Sequence, residues 1–353
     1  MQRDRTKKYL VLTSLLALTS CTAKGPSTDQ PRVVNLASWS NYVSPELLAD
    51  FEKRTGIKVQ ISNYSSNEEL LAKLQAGASG YDVAIPSDYM VFAMGKLGLL
   101  KPLDFSLLTH SKSLDPKFLK KSFDPENKIS VPYDWGTTGI AVNRALYKGE
   151  MTSWKNLLQN KDLEGKFTLL DDGRETIGAT LKMLGLSLNT KNPSDIQKAK
   201  DFLIQTKARV KGFTSEPLMS LVNGETAVAH AYVSDTLQAR RKSGGEKIEY
   251  VIPGEGCTLW IDNLVIPTGA QHLKEAHEFI NFLLEAKSNV STVMSILVAP
   301  ANREAFSLLP REIQTNSALF PSSKVMAKME MMEDLGQATN LWDRVWTEVK
   351  AGK

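Results

Sequence analysis

The chain alternates short apolar stretches with amphipathic stretches from residue 33 onward. Short apolar runs predict buried strands, and apolar residues at helical spacing predict helices packed on them. The elements predicted in the first half are a strand over 33–37, a helix opened by Ser44 and Pro45 and stopped by Gly56, a strand over 57–61, a helix over 67–75 and a strand over 81–85. This order predicts a mostly parallel sheet with helices on both faces.

The second half repeats this style after a segment, residues 130–143, that could cross from one half to the other. The elements predicted there are a strand over 167–170, a helix opened by Asp172, a helix through 196–203, strands over 226–232 and 250–253, and a helix over 276–284. A length of 353 residues exceeds one hydrophobic core. Together these patterns predict an α/β protein with two lobes and a cleft between them.

Aromatic and polar residues follow the ends of the predicted strands, where open α/β sheets bind their ligands. These residues are Trp39, Ser40, Asn41, Tyr42, Ser87, Asp88, Tyr89, Asp172, Glu175, Tyr232, Trp260 and Asp262. The set is rich in rings and carboxylates and poor in cations. Aromatic faces attract alkylammonium groups, and each buried positive charge needs a carboxylate. The composition of the set therefore favours a cationic ligand with apolar segments.

Other interpretations of the same residues stay open at this stage. Asp172 and Glu175 have the spacing of an ordinary helix capping box, and a carboxylate pair could also serve a glycosidase. The sequence contains no G-x-S-x-G, H-E-x-x-H or G-x-x-x-x-G-K-[ST] motif. The four histidines are scattered, and we expect no metal, no cofactor and no catalytic residue.

The N-terminal segment predicts a secretory leader. Four basic residues precede a short apolar run, and Leu-Thr-Ser-Cys ends it at Cys21. That ending resembles a bacterial lipobox, which implies a signal peptide over 1–20 and a lipid on the Cys21 thiol. Residues 21–32 have no apolar pattern and predict a flexible tether.

Charge and cysteine content narrow the possible partners further. Removing residues 1–20 lowers the net charge from +4 to about +1, because four basic residues and one acidic residue leave with it. No basic block remains that would predict nucleic-acid binding. The only other cysteine is Cys257, so a lipidated Cys21 leaves no disulfide to support the fold.

The mature chain resembles the spermidine/putrescine-binding proteins of bacterial polyamine ABC transporters, within the extracellular solute-binding protein family. The matching stretches are 39–43, 55–59, 81–87, 122–125, 132–136, 170–175, 260–262, 280–284 and 350–352. The resemblance implies a two-lobed type II periplasmic binding fold, each lobe a mixed sheet flanked by helices, with a hinge of crossing strands. We expect residues 33–139 with 261–306 in lobe 1, and residues 140–260 with 307–353 in lobe 2.

The resemblance also implies roles for single residues. The family's ligand contacts carry over at Trp39, Tyr42, Ser87, Tyr89, Asp172, Glu175, Trp260 and Asp262. Ser40 replaces the family's threonine and Tyr232 its tryptophan, and both could keep the role. Asn41 stands where the family has an acid, Val298 where it has a tyrosine and Met332 where it has a glutamine. Asp88 and Asp235 are acids that the family does not require, and we expect one of them to restore the missing charge.

The sequence thus predicts a monomeric, lipid-anchored binding protein outside the cytoplasm. It would capture spermidine or putrescine and deliver it to an ABC permease, touching the membrane through its anchor only. The alternatives left open are a binding protein for another small organic amine, a surface-displayed receptor and the carboxylate-pair glycosidase.

Overall fold

The structure is a computed structural model that describes residues 32–40, 42–77, 80–245 and 247–352. Its strands are β1 Val33–Trp39, β2 Lys58–Tyr64, β3 Val83–Ala84, β4 Val131–Asn143, β5 Phe167–Leu170, β6 Gly212–Thr214, β7 Val228–Tyr232, β8 Ile248–Val251, β9 Leu259–Leu264 and β10 Ala299–Pro300. Its α-helices in the first 210 residues are α1 Pro45–Thr55, α2 Asn67–Gln75, α3 Asp88–Lys96, α4 Trp154–Leu158, α5 Gly173–Met183 and α6 Pro193–Lys207.

The remaining helices follow the same chain order. They are α7 Pro217–Val222, α8 Val233–Lys242, α9 Leu273–Leu284, α10 Ala286–Ile296, α11 Arg303–Leu308, α12 Arg311–Gln314, α13 Ser323–Met326 and α14 Thr339–Ala351. Short 3-10 helices occupy Thr109–Ser113, Pro116–Phe118, Lys161–Leu163 and Gly336–Ala338.

The first lobe is built on the parallel sheet β2-β1-β3. A bridge between Ala84 and Val265 links this sheet to the segment that follows β9. Helix α1 begins as the sequence predicts: the Ser44 side chain accepts a hydrogen bond from the Leu47 N–H, and Pro45 occupies the first turn. Its Phe51 is fully buried against Phe279 and Phe282 of α9, and these contacts anchor both helices to the first core.

The second lobe holds the parallel strands β5, β6 and β7, and the second half of β4 lies between β7 and β8, antiparallel to both. A separate core underlies these strands, and Trp154, Phe167 and Trp342 are its largest fully buried side chains. Two distinct cores confirm the predicted two-lobed α/β organisation.

Strand β4 passes from one lobe into the other. Its first half, Val131 to Thr137, pairs antiparallel with β9, and its second half pairs with β7 and β8. All thirteen residues of β4 are buried, which is typical of a strand covered on both faces. The crossing segment predicted at 130–143 is therefore confirmed, and β4 and β9 form the connection between the lobes.

Several predicted boundaries were wrong by a few residues. The strand predicted at 81–85 is only two residues long, and the strand predicted at 250–253 is β8, at Ile248–Val251. Asp82 lies just before β3, and its carboxylate accepts hydrogen bonds from the backbone N–H groups of Asn35 and His272, which are distant in the sequence.

The predicted leader, Cys21 and all of the predicted tether except Arg32 lie outside the described residues. Arg32 itself makes ion pairs with Glu275, at 3.0 Å, and Glu278, at 2.6 Å. The lobe boundaries stay a prediction, since in the segment 307–353 Phe320 packs on the first core and Trp342 on the second. No helix in the described part of the chain has the length and apolar character needed to span a bilayer.

Candidate functional site

A cavity of about 310 Å³ opens where the strand ends of both lobes face each other. Of the predicted ligand-binding residues, it is lined by Trp39, Ser40, Tyr42, Ser87, Asp88, Tyr89, Asp172, Glu175, Tyr232, Asp235, Trp260 and Asp262. The remaining one, Asn41, lies outside the described residues. The topology thus brings together side chains from five separate parts of the sequence.

The first-lobe wall contains a chain of hydrogen bonds centred on Asp262. The Ser87 hydroxyl donates to Asp262 Oδ1 at 2.7 Å. The phenolic oxygen of Tyr42 lies 2.7 Å from Asp262 Oδ2 and 2.5 Å from Asp134 Oδ1. Burial raises the pKa of Asp262 to about 6, although the bonds from Ser87 and Tyr42 favour its ionised form. Asp262 is therefore largely ionised at neutral pH and can attract a cation.

Glu175 faces the cavity from the first turn of α5. Its two carboxylate oxygens accept hydrogen bonds from the hydroxyls of Thr138, at 2.8 Å, and Thr258, at 2.7 Å. Burial and the nearby charge of Asp172 raise the pKa of Glu175 to about 8. Without a ligand this carboxyl is mostly protonated at neutral pH, and a cation beside it would favour ionisation.

Asp172 caps the N-terminus of α5, as its spacing predicts. Its carboxylate accepts from the Glu175 N–H at 3.0 Å. The reciprocal bond of a capping box is missing, because the Glu175 side chain turns to Thr138 and Thr258 instead. Burial raises the pKa of Asp172, opposed by this backbone bond and by Arg174. Asp172 thus caps the helix, and both Asp172 and Glu175 line the cavity.

Two further acids, Asp88 and Asp235, lie in the cavity wall. Asp88 Oδ1 accepts from the Tyr89 N–H at 2.8 Å, whereas its buried Oδ2 has no hydrogen-bond partner among the described residues. Burial raises the pKa of Asp88 to about 8. Asp235 opens α8 near Glu216, and burial and that neighbouring charge raise its pKa to about 7. Both acids lack a cationic partner within ion-pair distance in the described chain.

Aromatic rings form the rest of the wall. The Trp39 ring lies 4.6 Å from the Tyr64 ring, and its N–H donates to the Ile85 carbonyl at 3.0 Å. Across the cavity, Tyr232 and Trp260 meet edge to face at 6.4 Å. These contacts orient the rings that line the cavity.

Among the residues that the structure describes, cationic side chains stand only at the periphery of this site. Lys242 lines the cavity but is an exposed residue at the end of α8. The Arg174 guanidinium lies 5.1 Å from the ring centres of both Tyr89 and Trp342. The Tyr89 hydroxyl in turn donates to Glu68 at 3.0 Å. Acidic side chains therefore outnumber cationic ones among the described residues that line the cavity.

Two residues that differ from the family pattern, Met332 and Val298, lie in different places. Met332 is buried and lines the cavity, whereas Val298 does not line it and packs in a small core with Trp260 and Leu319. Sequence reasoning missed Asp134, which lies behind the wall, and also Glu216, Gln238 and Tyr64 in the wall. An acid inside the apolar stretch 131–143 was the available signal for Asp134.

The sequence and fold comparisons agree with this architecture. A family model described as bacterial extracellular solute-binding protein matches residues 46–321. The chain belongs to this family. As an extracellular solute-binding protein, it shares 36% identity with spermidine/putrescine-binding periplasmic protein 1 of Haemophilus influenzae, over 98% of this chain and all of that protein.

Two solved structures show that the similarity of this solute-binding protein extends to the fold. The substrate-binding protein PotD of a spermidine/putrescine ABC transporter from Streptococcus pneumoniae is 32% identical, with a TM-score of 0.77, over 91% of this chain and 99% of that one. The Tp0655 (TpPotD) lipoprotein of Treponema pallidum is 28% identical, with a TM-score of 0.79, over 90% and 99%. The predicted periplasmic binding protein fold is confirmed.

Proposed function

We propose that this solute-binding protein captures a linear polyamine in the cavity between its lobes and delivers it to an ABC permease. The observation that carries the proposal is the presence of buried acids and aromatic rings in the wall of one cavity. Asp172, Glu175 and Asp262 would pair with ammonium groups, and Ser87 would accept a hydrogen bond from an amine. The names of the relatives support the same ligand class.

The rings would hold the methylene segments between the charges. The aromatic residues that line the cavity include Trp39, Tyr42, Tyr89, Tyr232 and Trp260. Each methylene group removed from water contributes roughly 0.8 kcal/mol, and an ammonium over a ring contributes about 0.5–2 kcal/mol. Contacts from both lobes to one ligand would favour the closed arrangement of the lobes.

An anionic ligand is disfavoured by the same geometry. Anion sites present Arg, Lys or a helix N-terminus to the ligand. Here the N-terminal turns of α3 and α5 are occupied by the carboxyl groups of Asp88 and Asp172. A phosphate or carboxylate placed in this cavity would meet buried acids and no buried cation among the described residues.

The proposal includes two further claims: the protein binds its ligand without converting it, and a lipid on Cys21 attaches it to the membrane. To test the first claim, the protein is incubated with amines or oligosaccharides, and mass spectrometry should show both chemically unchanged. A glycosidase would release a cleaved sugar in the same assay.

In the bacterium, a Cys21→Ser variant should move from the membrane fraction to the soluble fraction, with its affinity for ligand unchanged.

Titration calorimetry on the purified protein tests the ligand class. The panel is putrescine, cadaverine, spermidine, spermine and an uncharged diol of matched length, because the last removes only the positive charges. We expect at least one polyamine to bind and the diol not to bind. Equal binding of the diol, or binding only of an anion, would contradict the proposal.

A further inference from the structure

An acid that the proposed ligand contacts do not use lies directly behind the cavity wall. Asp134 is fully buried on β4 and is not among the cavity-lining residues. The register of β4 and β9 places it directly opposite Asp262. Side chains at opposed positions of an antiparallel pair have Cβ atoms about 4.5–5.5 Å apart, and like charges there destabilise the pair. Two buried aspartates so close together cannot both be ionised at low cost.

Tyr42 shows how the pair avoids that cost. Its phenolic oxygen is within hydrogen-bond distance of both acids, at 2.5 Å from Asp134 and 2.7 Å from Asp262. A phenol carries one proton and can donate to only one of them. The second contact therefore needs a proton on a carboxyl group, which then donates to the phenolic oxygen.

The surroundings decide which acid holds that proton. Asp262 accepts a second hydrogen bond, from Ser87, and faces the cavity. Asp134 Oδ2 is buried and has no partner among the described residues. The titratable groups that face Asp134 are Tyr42 from the segment after β1, Asp262 from β9 and Tyr133 on its own strand, and β10 contributes none. A carboxylate without donors or cations is far less stable than one with two donors.

We propose that Asp134 is a neutral hydrogen-bond donor that positions Tyr42, so that Tyr42 donates to Asp262 and only Asp262 of the pair is ionised. The cavity then presents one negative charge at this point, held in a fixed orientation by Tyr42 and Ser87. Burial and the charge of Asp262 raise the pKa of Asp134 well above its usual range, which favours the neutral form of Asp134. The effect on ligand affinity rests on the proposed polyamine function, whereas the position of the proton does not.

Infrared difference spectra at about pH 8 locate the proton without any ligand. Wild type minus Asp134→Asn should contain the C=O stretching band of a protonated carboxylic acid. Wild type minus Asp262→Asn should contain carboxylate bands instead. The reverse assignment would overturn the proposal. If the Asp134→Asn variant does not fold, the difference spectrum of wild type minus Asp262→Asn still tests the proposal. A protonated-acid band in that spectrum would place the proton on Asp262 and overturn it.

Calorimetry with spermidine as the probe measures the consequence. Asparagine keeps the shape of a protonated aspartic acid and can donate through its amide, so Asp134→Asn should change the affinity by no more than about threefold. Asp262→Asn should weaken it at least about tenfold. An equal loss in both variants would show that Asp134 supplies charge. If wild type does not bind spermidine, the polyamine function fails, and the infrared spectra still test the proton position.

Discussion

Gly136 of β4 lies against the indole ring of Trp260. A Cβ atom at position 136 would stand 2.4 Å from ring carbon Cζ2, 2.5 Å from Cη2 and 3.0 Å from Val233 Cγ1. No ordinary packing accommodates such distances, so the Trp260 wall of the cavity depends on glycine at this position. The relationship connects the strand that crosses between the lobes to a ring that we propose contacts the ligand.

Gly136→Ala should therefore damage both stability and binding. Displacing the indole or straining β4 should lower the free energy of unfolding by about 1–3 kcal/mol, and spermidine affinity should fall with the displaced ring. Gly212→Ala is the matched control, because Gly212 is also a strand glycine but has no atom within 4 Å of its Cβ position. Urea unfolding and calorimetry check both variants. A Gly136→Ala protein as stable and as tight-binding as the control would contradict this account of the wall.

Glu175→Gln should weaken polyamine binding by about 2–5 kcal/mol, because it removes a charge that would pair with a buried ammonium. The amide keeps the size of the side chain, so unfolding should change much less than binding. Glu164→Gln, at an exposed position, is the matched control and should bind as wild type does. Unchanged affinity in Glu175→Gln would remove Glu175 from the proposed ligand contacts.

Asp88 and Asp235 test whether an acid compensates for Asn41. Replacing at least one of them with Asn should weaken spermidine binding tenfold or more. The buried Asp88 Oδ2, without a hydrogen-bond partner in the described chain, makes Asp88 the stronger candidate. Competition binding measurements of the spermidine affinity of the two single variants, Asp88→Asn and Asp235→Asn, check this prediction. If both bind within about twofold of wild type, neither acid takes the role.

Binding and stability should respond to pH in opposite ways. Glu175 and Asp88 have pKa values of about 8 in the folded protein, raised from usual values of 4.5 and 3.8. The unfolded chain releases these protons near pH 4 and the folded chain only near pH 8, so the unliganded protein should lose stability as pH rises between these values. A bound polycation favours the ionised acids, and its stabilising effect should grow over the same range.

Melting curves with and without spermidine, between about pH 5.5 and about pH 8, check this pH prediction. As pH rises, the melting temperature of the free protein should fall, and the increase in melting temperature that spermidine causes should become larger. Glu175→Gln should flatten both slopes, since the amide does not titrate. If the rise in melting temperature caused by spermidine becomes smaller towards high pH, the acids do not need to ionise for binding.

Much of the fold was predictable because apolar periodicity and helix-start residues follow local rules. Helix α2 has the bounds that the pattern predicts, and α5 is capped by Asp172 as expected. The strand ends were less predictable. Beside β3, Asp82 accepts a hydrogen bond from His272, 190 residues further along the chain, and no local pattern encodes such a contact.

The cavity residues were found by their position after strands and by family resemblance, and the structure brings the described ones together. Asp134 could not be placed in the same way. It lies in the middle of β4, where every residue is buried and the alternation that separates the two faces is lost. Its role depends on cross-strand register with Asp262 and on the reach of Tyr42, and both are long-range properties.

A crystal structure of the protein grown with spermidine tests the central claim most directly. The account predicts electron density for the triamine in the cavity, with its nitrogens within hydrogen-bond distance of Asp172, Glu175 and Asp262 and its methylenes between Trp39 and Trp260. An anion among those acids, or a cavity left empty while spermidine binds elsewhere on the protein, would contradict it.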